Sequence, residues 1–118
     1  MITFYCHPTC TTCKKAKQWL EQENQAYTFV SLKETAPTKE ELLTYFDKTD
    51  KPVKAFFNTS GQAYRKLNLK EKLPTMSKEE AAEWLSSDGM LIKRPLAVEE
   101  DKITIGFKET EYEKNWKK

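Results

Sequence analysis

Residues 4–13 read Phe4-Tyr5-Cys6-His7-Pro8-Thr9-Cys10-Thr11-Thr12-Cys13 and contain all three cysteines and the single histidine of the chain. The residues just before the cysteines are β-branched or aromatic, which is typical of a strand. After them, Cys13, Ala16 and Leu20 recur at helical spacing. The sequence therefore predicts that the cysteines lie where a strand ends and a helix begins.

The bulk composition predicts one globular domain over residues 1–118. The chain is 38% hydrophobic and 32% charged, which argues against disorder and against a membrane span. Its net charge of +2 gives no basis for a direct nucleic-acid partner. The first residues contain no secretory pattern, so we expect a cytoplasmic protein. Three cysteines in that compartment indicate redox chemistry, a metal or packing rather than a disulfide framework.

The order of the local patterns predicts an α/β fold. A helix over about 11–23 and a strand over 27–31 complete a βαβ unit, whose two strands are parallel because the crossover is right-handed. Near the other end, strands over 96–98 and 103–107 form an antiparallel hairpin.

Helix starts are marked by three capping-box patterns, in which a Thr or Ser is followed three residues later by Glu. These patterns begin at Thr38, Ser77 and Thr110. The first two predict helices within a mostly helical insertion at about 35–89. The third predicts a final helix that packs Tyr112 and Trp116 against the core.

Cys10 and Cys13 form a Cys-X-X-Cys motif at the predicted helix start. Side chains three residues apart share one face of a helix, so these two can form a reversible disulfide. The helix N-terminus and the following lysines favour an anion there. In such motifs the N-terminal cysteine is the usual nucleophile. We therefore interpret Cys10 as the nucleophile and Cys13 as the resolving thiol.

Other interpretations of the cysteines remain open at this point. Both members of the motif can be inert core residues. The spacing of the three cysteines also matches the iron–sulfur motif of radical enzymes that use S-adenosylmethionine, and with His7 they can form a zinc site. We expect no metal, because those enzymes are much longer and because Cys6 would have to turn from its strand towards the motif. Cys6 and His7 are interpreted as scaffold.

Four segments together resemble the arsenate reductase (ArsC) and Spx family. They are the Cys10 segment and residues 53–61, 64–68 and 91–96, so the resemblance spans nearly the whole chain. It implies a thioredoxin-like fold with a helical insertion, which agrees with the predicted βαβ start and hairpin–helix end.

The resemblance also implies a set of site residues. In thioredoxin-type folds a proline after an extended residue lies opposite the active cysteine, usually with a cis bond, and Arg94-Pro95 fits that pattern. Cys10 matches the family's catalytic cysteine, and Arg94 matches an oxyanion-binding arginine. Where the reductases carry a further arginine, this chain has Lys54. Near a third arginine position Lys108 is the neighbouring cation. Cys10, Cys13 and Arg94 are thus the catalytic candidates, and Lys54, Arg94 and Pro95 the substrate-binding ones.

The resemblance implies an enzyme with no bound cofactor. It would be a thiol–disulfide oxidoreductase that reduces an oxyanion or a disulfide and is recycled by glutathione with glutaredoxin, or by thioredoxin. The Spx branch implies an alternative, a redox-sensing regulator that binds the RNA polymerase α subunit. Turnover that depends on Cys10 distinguishes the two.

Overall fold

The computed structural model describes residues 2–7, 10–59, 61–100 and 102–116. Its elements in chain order are β1 (Ile2–Cys6), α1 (Thr11–Gln22), β2 (Tyr27–Ser31), α2 (Lys39–Phe46), α3 (Gln62–Lys66), α4 (Leu69–Lys72), α5 (Lys78–Ser87), β3 (Leu96–Glu99), β4 (Lys102–Ile105) and α6 (Glu109–Asn115). Single-turn 3-10 helices lie at Val53–Phe56, Leu73–Thr75 and Gly89–Leu91. None of the helices in the described part of the chain is long and apolar enough to cross a membrane.

The four strands form one mixed sheet in the order β2-β1-β3-β4. Strands β1 and β2 are parallel, with Cys6 opposite Ser31 at the end of the pair. Strand β3 runs antiparallel to both β1 and β4. The predicted α/β fold, with its βαβ unit and hairpin, is therefore confirmed. Strand β1 is central, but its pairing with β3 ends at Tyr5, so Cys6 at its end pairs with β2 alone.

Both faces of the sheet are covered, and β1 contributes alternate side chains to each face. Ile2, Phe4 and Cys6 belong to a core cluster with side chains from α1 and α6. Tyr5 faces the other way, into a larger cluster with α2, α5 and the segments between them. The sequence alternation of β1 thus determines which helices each of its residues contacts.

Helices α2 and α5 begin at the predicted caps. The Thr38 hydroxyl accepts a hydrogen bond from the Glu41 amide at 3.1 Å, and the Glu41 carboxylate accepts one from the Thr38 amide at 3.0 Å. The Ser77 hydroxyl accepts a hydrogen bond from the Glu80 amide at 3.1 Å. The prediction that Thr110 caps the last helix is wrong, although the helix itself is present. Helix α6 begins at Glu109, so Thr110 lies inside its first turn and does not cap it.

The helical insertion is attached to the sheet at a close backbone contact beside the cysteines. A Cβ at Gly89 would overlap the carbonyl oxygen of Leu32 and lie 2.9 Å from its carbonyl carbon. The Leu32 amide in turn donates a 2.8 Å hydrogen bond to the carbonyl of Cys6. Glycine is required at position 89 because only its missing side chain permits this approach.

Candidate active site

Cys10 immediately precedes helix α1 and is half-buried. Its backbone is extended, with φ −75° and ψ 124°, and its carbonyl accepts a 3.1 Å hydrogen bond from the Lys14 amide. The first turn of α1 contains no acidic residue. Since the free amides at a helix N-terminus favour negative charge, this position suits a thiolate.

Cys10 opens into a cleft of about 580 Å³. Three cationic side chains line it, Lys93, Arg94 and Lys108, and among its described lining residues there is no aspartate or glutamate. Lys93 and Lys108 are exposed, whereas Arg94 is half-buried. An anionic substrate in this cleft would therefore meet cations beside the thiol without a competing carboxylate.

The cleft also contains neutral groups that can orient a substrate. Thr12, Asn58 and Gln62 contribute a hydroxyl and two carboxamides to its wall. Gly106 lies in the wall at φ +76°, a left-handed conformation that glycine adopts without strain. Its amide donates a 2.9 Å hydrogen bond to the carbonyl of Pro95, which ties the end of β4 to the segment that carries Arg94.

Arg94 is positioned by the proline that follows it and by a thioether. The Arg94–Pro95 peptide bond is cis, and Pro95 is buried. The Arg94 Nη1 atom lies 3.9 Å from the Met90 sulfur. The ion pairs found among the described residues do not include Arg94. With Nη1 donating to the Met90 sulfur, the other guanidinium donors remain available to a ligand in the cleft as far as the described residues show.

Cys13 is bonded to Cys6 rather than to Cys10. The Cys6–Cys13 disulfide has a Cα–Cα distance of 6.0 Å, and Cys10 is free. The predicted Cys10–Cys13 pairing thus differs from the structure, and Cys6, which was interpreted as scaffold, is the partner of Cys13. Helix α1 begins at Thr11, as predicted, so Cys10 precedes the helix and helical spacing does not by itself bring its side chain to Cys13. Cys13 instead lies on the buried face of α1, which packs against the sheet.

Aromatic rings that pack edge to face lie behind one wall of the cleft. Phe107 lines the cleft and packs edge-on against Tyr112 at 4.8 Å between ring centroids. Tyr112 in turn contacts Trp19 of α1 at 5.4 Å. Burial raises the pKa of Tyr112 above its ordinary value, so its phenol keeps its proton further into the alkaline range. This wall contributes packed aromatic surface behind the cleft.

Comparison with known proteins gives the family. Residues 5–115 match the model described as ArsC family. The chain belongs to the ArsC family. Its fold is the thioredoxin-like α/β fold of that family, as the resemblance implied.

The relatives of this chain carry names that describe different functions. The chain is 52% identical to the uncharacterized protein YusI of Bacillus subtilis over 98% of both chains. It is 29% identical to the global transcriptional regulator Spx of Streptococcus agalactiae, covering 94% of this chain and 80% of that one. It also resembles the crystal structure of a possible arsenate reductase from Streptococcus mutans, with 46% identity, a TM-score of 0.90 and coverage of 97% and 96%. The family thus contains proteins named as regulators and proteins named as reductases.

Two residues considered from the sequence do not line the Cys10 cleft of this ArsC-family chain. Lys54 lines an apolar groove of about 240 Å³ next to Pro52 and Tyr64. His7 lines a separate pocket of about 290 Å³, where Cys13 and Phe29 also lie. Substrate binding by Lys54 stays a prediction, but the structure brings Lys93 and Lys108 to the cleft instead.

The chemistry of this site is that of thiols and cations. Within residues 2–7, 10–59, 61–100 and 102–116, no group of three or more His, Cys, Asp or Glu side chains is arranged to hold a metal ion. The arrangement supports nucleophilic attack by Cys10 on an anionic electrophile held by Arg94. Cys6 and Cys13 form a disulfide within the core cluster against which Cys10 packs.

Proposed function

We propose that the protein is a cytoplasmic thiol–disulfide oxidoreductase that uses Cys10 to reduce an anionic substrate. The substrate is a small disulfide that carries carboxylates or an oxyanion such as arsenate. The observation that carries this proposal is the cleft itself. The free thiol of Cys10 opens into it beside Lys93, Arg94 and Lys108, with no carboxylate among its described lining residues.

The first step is attack by the Cys10 thiolate. With a disulfide, its sulfur bonds to one substrate sulfur, and the other leaves as a thiolate. With arsenate, the thiolate bonds to arsenic and hydroxide leaves. The surrounding cations reduce the repulsion between the thiolate and an anionic substrate, and they stabilise the charge that develops in the transition state.

The second step is attack by another thiol on the Cys10 sulfur. It releases the second substrate thiolate or arsenite and leaves Cys10 in a disulfide, so that two electrons have moved from thiols to substrate. The proposed resolving thiol is Cys13. We propose that an external thiol, either glutathione with glutaredoxin or thioredoxin, then restores the reduced enzyme, with no bound cofactor.

A single-turnover experiment tests the proposal. Reduced protein freed of small thiols is mixed with oxidised glutathione, which is anionic, or with cystamine, a cationic disulfide of similar reactivity. We expect glutathione disulfide to react about tenfold faster or more at low ionic strength, with the preference falling as salt is added. Cys10→Ser should abolish the reaction. Equal rates for the two disulfides, or unchanged oxidation of the Cys10→Ser protein, would contradict the proposal.

A steady-state assay then separates the two substrate types. Arsenate-dependent oxidation of NADPH is measured with glutathione, glutaredoxin and glutathione reductase. The same measurement is made with thioredoxin and its reductase. Activity that disappears in Cys10→Ser identifies an oxyanion reductase. Activity with disulfides alone restricts the proposal to thiol–disulfide exchange.

The similarity to Spx supports a second candidate function, a redox-sensing regulator that binds RNA polymerase. The similarity extends over 94% of the chain. In this function the same cysteines are a sensor, and their oxidation changes the surface offered to the α subunit. Capture of purified α subunit by one redox form only, with no turnover of any acceptor, would favour the regulator over the enzyme.

A further inference from the structure

We propose that Cys6 is a third redox-active thiol, which withdraws the disulfide from the active-site cleft into the protein core. This inference rests on the proposed thiol–disulfide activity of Cys10 and adds the final position of the oxidising equivalents. In the oxidised protein the disulfide joins Cys6 to Cys13, and Cys10 is again a free thiol.

The three sulfurs belong to one packed cluster. Cys6 and Cys13 are members of the core between the sheet and α1, and Cys10 packs against the same cluster from the cleft. Helical side chains tilt towards the N-terminus of their helix, so Cys13 leans from α1 back towards Cys10. Rotation about the Cα–Cβ bond of Cys13 can therefore exchange its sulfur between the two partners. Cys13 is the shared member of both disulfides.

Access to substrate is unequal among the three. Cys6 is 0% exposed and Cys13 is 4% exposed, whereas Cys10 is half-buried and opens into the cationic cleft. A substrate as large as glutathione disulfide cannot reach the Cys6 sulfur. In the proposed route the Cys6–Cys13 disulfide forms by internal exchange that starts at Cys10, the most exposed of the three cysteines.

The exchange balances in three steps. Cys10 attacks the substrate disulfide, takes one half as a mixed disulfide and releases the other as a thiolate. Cys13 attacks the Cys10 sulfur, forms the Cys10–Cys13 disulfide and releases the second substrate thiolate. Cys6 then attacks the Cys13 sulfur, forms the Cys6–Cys13 disulfide and releases Cys10 as a thiolate. Overall, two protein thiols are oxidised and one substrate disulfide is reduced to two thiols.

The reverse sequence explains how a buried disulfide can be reduced. The Cys10 thiolate attacks Cys13, which frees Cys6 and brings the disulfide back to the edge of the cleft. An external thiol can then attack the Cys10 sulfur there. Cys10 is thus the route for electrons in both directions, and Cys6 holds the oxidised state away from solvent.

The sequence itself supplies an assay for the two disulfides. Trypsin cleaves after Lys14, so all three cysteines fall in the peptide 1–14. Backbone fragmentation between His7 and Pro8 in the mass spectrometer separates Cys6 from the other two. A Cys10–Cys13 disulfide gives two separate fragments with a maleimide label on Cys6. A Cys6–Cys13 disulfide keeps the fragments linked and places the label on Cys10.

Reduced protein is mixed with oxidised glutathione, quenched in acid at successive times and labelled with N-ethylmaleimide before digestion. We expect the Cys10–Cys13 form first and the Cys6–Cys13 form as the end product. In Cys6→Ser and Cys6→Ala the reaction should stop at Cys10–Cys13. Circular dichroism of both variants checks that they fold. In Cys10→Ser, formation of the Cys6–Cys13 disulfide should slow by about tenfold or more, because the direct route is blocked by burial.

Two results would overturn the relay while leaving the proposed activity intact. One is a wild-type end product in which Cys6 alone carries the label. The other is formation of the Cys6–Cys13 disulfide at the wild-type rate in Cys10→Ser, which would mean direct oxidation of Cys13 through the pocket beside His7. Failure of both glutathione disulfide and arsenate to oxidise any of the three cysteines would instead contradict the proposed function, and the relay with it.

Discussion

At the residue scale, Arg94 supplies the planar donor group of the cleft, and Arg65 offers a matched control. These are the only two arginines of the chain, and Arg65 is exposed on α3 outside the cleft. Arg94→Lys keeps the charge but loses the planar pair of donors. We expect the KM for oxidised glutathione to rise about tenfold, since a hydrogen bond to a charged group contributes about 1.5–3 kcal/mol. Arg65→Lys should change the KM less than about twofold, because exposed charges contribute little. Equal effects of the two substitutions on the KM would contradict a role for Arg94 in substrate binding.

Gly106 is the second residue whose identity the cleft requires. Its φ of +76° is strained for any side chain, and an added Cβ would lie 3.2 Å from Lys93 Cε. Gly106→Ala should therefore lower the free energy of unfolding by about 1–2 kcal/mol, measured by urea denaturation. Gly61→Ala is the control for crowding, because position 61 has an ordinary φ of −79° while its Cβ would lie 2.8 Å from Asn58 Nδ2, the end of a flexible side chain. A loss at position 61 as large as at 106 would show that crowding, rather than backbone strain, is responsible.

The cysteine pairing shows where residue-level sequence reasoning fails. Spacing along the chain favours a Cys10–Cys13 disulfide, since the two side chains would share one helix face if the helix included Cys10. The decisive signal lies in two periodicities taken together. Cys6 alternates in β1 with Ile2 and Phe4, and Cys13 recurs in α1 with the residues that face the same core. Each periodicity is visible in the sequence, but the contact between them depends on how α1 lies across the sheet.

At the element scale, three similar capping patterns provide an internal comparison. Thr38 caps α2 in a complete capping box, whereas Thr110 lies exposed within the first turn of α6. Thr38→Ala should destabilise the protein by about 1 kcal/mol, and Thr110→Ala by less than about 0.5 kcal/mol. Urea denaturation of the two variants under identical conditions measures the difference. An equal loss of stability in Thr110→Ala and Thr38→Ala would contradict the structure, in which Thr110 does not cap a helix.

The elements themselves were largely predictable because their signals are local. Strand β2 and the starts of α2 and α5 follow directly from strand composition and capping residues within a few positions of each other. The start of α6 was missed because its position follows the buried Tyr112 and Trp116 rather than the Thr110 pattern. The cationic residues of the cleft were also predicted only in part. Lys93 and Lys108 are brought to Cys10 from segments far apart in the sequence, and no local pattern contains that information.

At the scale of the whole molecule, buried tyrosines on both faces of the sheet determine the response to alkaline pH. Burial raises the pKa of Tyr5 and Tyr45, whose hydroxyls are 2.9 Å apart, and burial also raises the pKa of Tyr112. An unfolded tyrosine titrates near pH 10, so above that pH the unfolded chain loses protons that the folded chain keeps. The contribution of each such tyrosine to the free energy of unfolding should be constant below about pH 10 and then fall by about 1.4 kcal/mol per pH unit until the pKa of the folded state is reached. Urea denaturation at successive pH values measures the slope. Tyr112→Phe should remove one tyrosine's share of the slope, and an unchanged slope in this variant would contradict the assignment.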